Sequence, residues 1–293
     1  MDKLSAKWLT MDPTQLPWQA HLLGLLIALL FVTGLIFNII LIVRRKEWIS
    51  ILAHRLRRIR KRPFLPMDAS RMLLMLAILV LFINTLFLRL AAAHSTVHPL
   101  SLLLGQLAIP AVALAGLYGI MKERKASLRK AFGIHPARCV YDTGVAVGLL
   151  IAMFPVLIVA SVICMSLLQA IGYPVNPQDV VQFLLDPAIP AWRQIFIMGL
   201  AIVAAPLVEE AVFRGVCLPA ALKAMGTREA VVLIAVFFAF IHQHPESAVS
   251  LFLFALYLTA GYVWTGSLLT AIMMHALFNG STLVALRLMQ AAQ

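Results

Sequence analysis

Apolar runs long enough to cross a membrane recur along the whole chain, and they constrain its fold more than any other feature. They fall at about 20–43, 72–93, 100–120, 142–171, 195–221, 229–244, 247–264 and 267–288. A run of about 20 apolar residues spans a hydrocarbon core of roughly 30 Å as a helix. The sequence therefore predicts an all-α, polytopic membrane bundle of about eight transmembrane helices. A transmembrane barrel would alternate apolar and polar residues in segments of about 10, a pattern this chain lacks. With 62% hydrophobic and 12% charged residues and a mean hydropathy of +0.95, the composition excludes a soluble globular domain. The run at 229–244 is the weakest, since it is short and turns polar at "IHQHPES". Such a segment is expected to line a protein-enclosed wet cavity.

Lys and Arg number 24 against 12 Asp and Glu, and their distribution sets the orientation. The bases gather between spans, in "RRKEWISILAHRLRRIRKRP" (44–63) and "KERKASLRKAFGIHPAR" (122–138). Read as cytoplasmic loops, these place both termini and the segment 172–194 outside, with a short interfacial helix expected in that segment. The same bases suit contact with anionic lipid headgroups. No aromatic platform or groove-reading motif accompanies them, so nucleic acid is excluded as a partner. Cys139, Cys164 and Cys217 have no CxxC spacing and read as small buried hydrophobes. The opening "MDKLSAKWLTMDPTQLPWQA" lacks the h-region and cleavage site of a signal peptide, so the first span is expected to remain.

Against this apolar background "VAAPLVEEAVFRGVCLPA" (203–220) is anomalous. A charge near mid-bilayer costs roughly 2.5–3.5 kcal/mol on insertion scales. Glu210 and Arg214 are four apart and share a helix face, which predicts an ion pair. Glu209 points about 100° away and has no local partner. Later spans supply candidates: "FAFIH" sets Phe238 and His242 on one face, and "HALFN" does the same for His275 and Asn279. If these helices pack together, Glu209, His242, His275 and Asn279 converge on a buried polar pocket with the parts for hydrolysis. A carboxylate in apolar surroundings is a stronger general base for activating water, and imidazole or amide groups donate to an oxyanion. The alternative is zinc held by the glutamate and two histidines. The residues leave the cofactor open between a divalent metal such as zinc and none, and no HExxH is present.

The order EExxxR (Glu209, Glu210, Arg214), FxxxH (Phe238, His242) and HxxxN (His275, Asn279) on successive late spans resembles the CPBP family. That family, also called ABI, comprises CAAX prenyl proteases of the second type and bacteriocin-processing or immunity relatives. The resemblance covers roughly 195–285. It implies an eight-helix intramembrane protease in which Glu209 activates water with help from His242. His275 and Asn279 would stabilise the oxyanion, and Glu210 with Arg214 would hold the site's shape. The implied substrate is a membrane-associated protein or peptide, lipidated where the reaction is of the CAAX type. The implied location is the inner (cell) membrane of a bacterium, as an integral multi-pass protein.

Two regions are expected: N-terminal spans with basic loops (1–140) and the motif-bearing core (141–293). Two other functions compete: a non-catalytic immunity or scaffold protein that kept the pocket, and a proton-relaying transporter, for which the repeats or broken helices in matching halves are missing. Phe238 is expected to pack the pocket wall. His244 and Glu246 are expected at a polar loop rim, pointing away from each other, His54 and His135 in the basic loops, and His94 and His98 at solvated positions. Counted at about 1.5 Å per residue, Glu209, His242 and His275 fall at different depths, so convergence requires tilt, a bend near Pro206 or a sixth helix that begins earlier in the bilayer, and a bend is expected.

Overall fold

The computed structural model describes residues 18–93, 99–173 and 189–291. Among them every regular element is helical: α1 (Trp18–Val43), α2 (Arg45–Arg60), α3 (Pro66–Ala93), α4 (Pro99–Glu123), the short α5 (Leu128–Phe132), α6 (Cys139–Ala170), α7 (the run Ala191–Ala224), α8 (Thr227–Ile241), α9 (Ala248–Thr265) and α10 (Leu268–Ala291). Seven stretches are long and apolar enough to cross a membrane. The eighth expected span, α8, has 15 residues and falls short of that length. Residues 174–188, where an interfacial helix was expected, and His94 and His98 lie outside the described residues.

The basic segment 44–63 is not a loop. It is largely the helix α2, because Trp48, Leu52, Leu56 and Ile59 recur at helical spacing and turn inward while its arginines mostly face out. Ile59 is fully buried. α2 packs against the end of α9 and the last turns of α7. Trp48 meets Trp264 with ring centroids 4.5 Å apart, and the Arg55 guanidinium lies 4.5 Å over the Trp264 ring. Aromatic and basic side chains together mark a membrane–water boundary.

A single arginine ties this end together. Arg62 donates to the carbonyls of Arg129 (3.1 Å) and Lys130 (2.9 Å) at the end of α5, and to Gly266 O (2.7 Å) at the end of α9. Gly133 must be glycine here. Its φ is 71°, and a Cβ would stand 1.9 Å from Gly266 O. Lys223 Nζ, at the close of α7, donates to the carbonyls of Arg62 (2.6 Å) and Phe64 (2.5 Å). Beneath them Phe64 stacks on Phe132 at 5.7 Å, and Phe132 fills the space that a side chain at Gly215 would need.

α1 packs along α6. Pro155 has no N–H, so Ile151 O in α6 lacks its usual helical donor, and Gly34 presses against both residues. One turn on, Asn38 Nδ2 donates to Gly34 O (2.8 Å) and Ala152 O (2.5 Å), while its Oδ1 accepts from Tyr257 Oη (2.9 Å) in α9. Satisfying each polar atom is what makes such a group tolerable in lipid. α6 in turn packs on α1, α9 and α10, and α8 lies along α9.

Acids are buried at more places than the apolar pattern suggested. Asp68 is buried at the start of α3, where it accepts Leu65 N–H (2.8 Å) and a two-pronged contact from Arg124 (2.9 and 2.8 Å). Asp142, in the first turn of α6, and Glu246 are buried too. Of the three cysteines only Cys217 is fully buried; Cys139 and Cys164 are half-buried.

Candidate active site

α7 is not a uniform helix. Its α-helical stretch Ala205–Glu210 is bracketed by π-helical turns at Leu200–Ala204 and Ala211–Cys217. Ala205 N–H donates to Leu200 O and Leu218 N–H to Phe213 O, each five residues back. Pro206 and Pro219, which cannot donate, come directly after these two turns. The first π turn has a direct consequence. An α-helix would give Ala205 N–H to Ala201 O; here that carbonyl is released and accepts instead from Asn279 Nδ2 at 2.8 Å. Thus α7 and α10 are joined at the irregularity. π turns place more residues in one turn and shift the register of the helix beyond them. The first of them lies beside Pro206.

The two glutamates have different surroundings. Glu210 is fully buried, and its Oε1 accepts from Arg214 Nη1 at 3.0 Å and from His275 Nδ1 at 2.8 Å. Arg214, also fully buried, donates through Nη2 to Ala255 O (3.1 Å) and rests 4.5 Å above the Phe238 ring. The expected ion pair is therefore present, and it extends to a histidine 65 positions along. Carboxylate, ring and carbonyl share the charge of a guanidinium buried away from bulk water.

Glu209 lies outside this sealed cluster. Its nearest ionisable neighbour is His242, with Nε2 3.9 Å from Glu209 Oε2. Their side chains keep 25% and 28% of their surface exposed, although Glu209 Oε2 itself is buried. His242 caps α8, and its Nδ1–H donates to Phe238 O at 2.7 Å. That bond fixes the tautomer and turns Nε2 to Glu209. Glu209 Oε2 accepts no hydrogen bond from the described residues.

Phe238 sits between the two halves. Its ring lies 4.8 Å from that of His242, 5.9 Å from His275 and 5.4 Å from Phe213. Beyond packing a wall, it carries Arg214 on its face. Phe254 closes the other side of His275 at 5.1 Å. The chain leaves helical geometry at Gln243 (φ 49°) and makes a tight turn at Pro245–Ser247. This turn brings Glu246 Oε2 to 3.3 Å from His244 Nδ1, which also meets Ser247 Oγ at 3.1 Å. The expectation that His244 and Glu246 diverge assumed a helix that has already ended.

All six residues singled out in the sequence thus fall in one region, partitioned as Glu209 with His242, Glu210 with Arg214 and His275, and Asn279 on the carbonyl that the π turn frees. His275 turns its Nδ1 to Glu210, not to Glu209. Among the described residues no group of three His, Cys, Asp or Glu side chains is placed to hold a metal ion. The donor set does not fit the zinc alternative.

Residues 191–281 match the family model described as type II CAAX prenyl endopeptidase, Rce1-like. The matched stretch contains every motif that carried the resemblance to the CPBP family and leaves residues 1–190 outside it. Over 191–281 the chain is similar to that family. No curated protein and no solved structure matches the chain.

Proposed function

We propose that the protein is an intramembrane endopeptidase that hydrolyses a peptide bond of a membrane-associated protein or peptide with water activated by Glu209. The observation that carries this reading is the partly exposed Glu209–His242 pair beside a sealed Glu210–Arg214–His275 cluster. The 3.9 Å between Oε2 and Nε2 is too long for a hydrogen bond. Oε2 is itself buried and has no hydrogen-bond partner among the described residues; a water admitted there with the substrate would lie about 2.8 Å from each atom, an ordinary O–H···X length. Such a water donates to both and turns its lone pairs to the substrate carbonyl.

Glu209 takes the proton as the water oxygen bonds to the carbonyl carbon. His242, held by Phe238 O, fixes the water's direction. The oxyanion is met by the second N–H of Asn279 Nδ2, and the Nδ1–H of His275 stays committed to Glu210. The C–N bond then breaks, and the proton held by Glu209 passes to the leaving nitrogen. Glu210 and Arg214 fix the ring of His275 without touching the reacting atoms. The setting we propose is the inner membrane of a bacterium.

The test compares protein termini in membranes of cells making the parent chain, Glu209→Gln or His242→Ala. Both variants should be inserted and unfold like the parent, because neither residue is sealed in the core. A set of termini produced by the parent should vanish in both. If every terminus persists in both variants, the protein is a scaffold that retained a polar pocket, and the protease reading is wrong.

A further inference from the structure

Away from the glutamates, the close of α4 carries positive charge that no acid answers. Its sequence there is "KERK" (122–125). The acids of this segment and of the neighbouring α3 are already engaged, Asp68 with Arg124 at 2.8 Å and Glu123 with Arg71 at 3.2 Å. Lys122 and Lys125 form no ion pair among the described residues. Both are exposed, and with Tyr118, Met121, Ala126 and Ser127 they line a cavity of about 450 Å³. Ser127 Oγ accepts Lys130 N–H at 3.3 Å, which leaves its own hydrogen to donate.

The backbone that builds this cavity is strained. Ala126 N–H donates to Met121 O (3.0 Å) and Lys125 N–H to Lys122 O (3.2 Å), a helix ending in which glycine usually takes the left-handed position. Here Lys125 takes it, at a φ of 47°. An outlier of this kind points to a use for the side chain it holds. A base near a helix C-terminus also suits the dipole, but that need does not call for a lysine in the left-handed region. Back along α4, Leu107, Ala111, Leu114 and Tyr118 follow at helical spacing on one exposed side. The exposed Arg71–Glu123 pair sets the membrane boundary beside Tyr118, so the stripe faces hydrocarbon.

We infer that this cavity holds the headgroup of an anionic glycerophospholipid, its phosphate between Lys122, Lys125 and the Ser127 hydroxyl and an acyl chain along Leu114 and Leu107. Charged headgroup and apolar tail each meet their complement on one helix. A zwitterionic lipid brings its own cation, which the two ammonium groups repel. α4 packs on Ala205–Glu210 and on the π turn Ala211–Cys217, so a lipid that anchors α4 steadies the helix that carries the glutamates. The inference does not depend on the protease reading.

The test titrates the full chain, stripped of lipid in an uncharged detergent, with dioleoylphosphatidylglycerol or dioleoylphosphatidylcholine, and counts bound lipid by native mass spectrometry. The parent should bind the anionic lipid about tenfold more tightly than the zwitterionic one. A lysine at the membrane surface contributes about fivefold, so the double variant Lys122→Gln, Lys125→Gln should bind it about 30-fold more weakly. The double variant Lys46→Gln, Lys61→Gln, which removes two bases outside the cavity, should bind it like the parent. Lys125→Gly keeps the turn, because glycine takes this φ without strain, and should weaken binding about fivefold. No change on Lys125→Gly would mean that the lysine serves only the end of α4, and would overturn the inference. Equal affinity for the two lipids, or equal losses in the two double variants, would overturn it as well. Excess inorganic phosphate should leave the lipid bound; displacement would make the cavity a site for free anions and refute its assignment to lipid.

Discussion

Replacing Arg214 by methionine tests whether the sealed cluster is a set of mutually compensating charges. Methionine keeps much of the volume but leaves Glu210 fully buried with only His275 Nδ1 on its Oε1. Breaking a buried pair by removing one partner costs about 3–5 kcal/mol, because the remaining charge has no compensation. Ala255 O, midway along α9, loses its second, charged donor as well, at a cost of roughly 1–3 kcal/mol. The single variant is therefore expected to lose about 4–8 kcal/mol, a large fraction of the roughly 5–15 kcal/mol typical of folded proteins. The double variant Arg214→Met, Glu210→Gln removes the orphaned charge, keeps an oxygen for His275, and leaves mainly the Ala255 penalty of about 1–3 kcal/mol. Equilibrium unfolding in mixed micelles of denaturing and mild detergent gives both values. The reasoning predicts a double variant more stable than Arg214→Met. If the double is equally or less stable, uncompensated charge is not what the arginine relieves, and the cluster is held by packing on Phe238.

Two further outcomes are expected. Asn38→Leu removes two interhelical hydrogen bonds, one to α6 and one from α9; at roughly 0.6 kcal/mol per interhelical bond in lipid the loss is about 1 kcal/mol, and hydrogen exchange should rise in α1 while that of α9 and α10 stays near the parent's. Gly133→Ala forces a Cβ to 1.9 Å from Gly266 O at a φ of 71°; a loss of more than about 1 kcal/mol is expected, read as a lower unfolding midpoint in the same detergent titration, and an unchanged midpoint would show that the α5–α9 approach is not tight.

The sequence made the spans readable because hydrocarbon accepts so few compositions, and it made Glu210–Arg214 and Phe238–His242 readable because four residues of helix bring them together. The partnership of His275 with Glu210 was not readable, since it depends on how α7 and α10 are rotated against each other. That rotation passes through two π turns with no local signature beyond a proline just after each. The Asn279–Ala201 bond has the same origin. α2 was hidden by its charge: the arginines that made 44–63 look like a solvated loop occupy one side of a helix whose other side packs on Trp264. His244 and Glu246 meet for a local reason, a helix that stops before the spacing argument assumed.

Arg62 and Lys223 bind the stretch matched by the family to segments that precede it. An excised fragment containing only 191–281 would retain Gly266 O and the ammonium of Lys223 but lose the guanidinium and carbonyls that answer them, and would bare Gly215 where Phe132 now rests. The unmatched part is thus the keystone of the matched one. Grafting the three motifs onto another scaffold would carry across the side chains without the clamp that seals one door behind them.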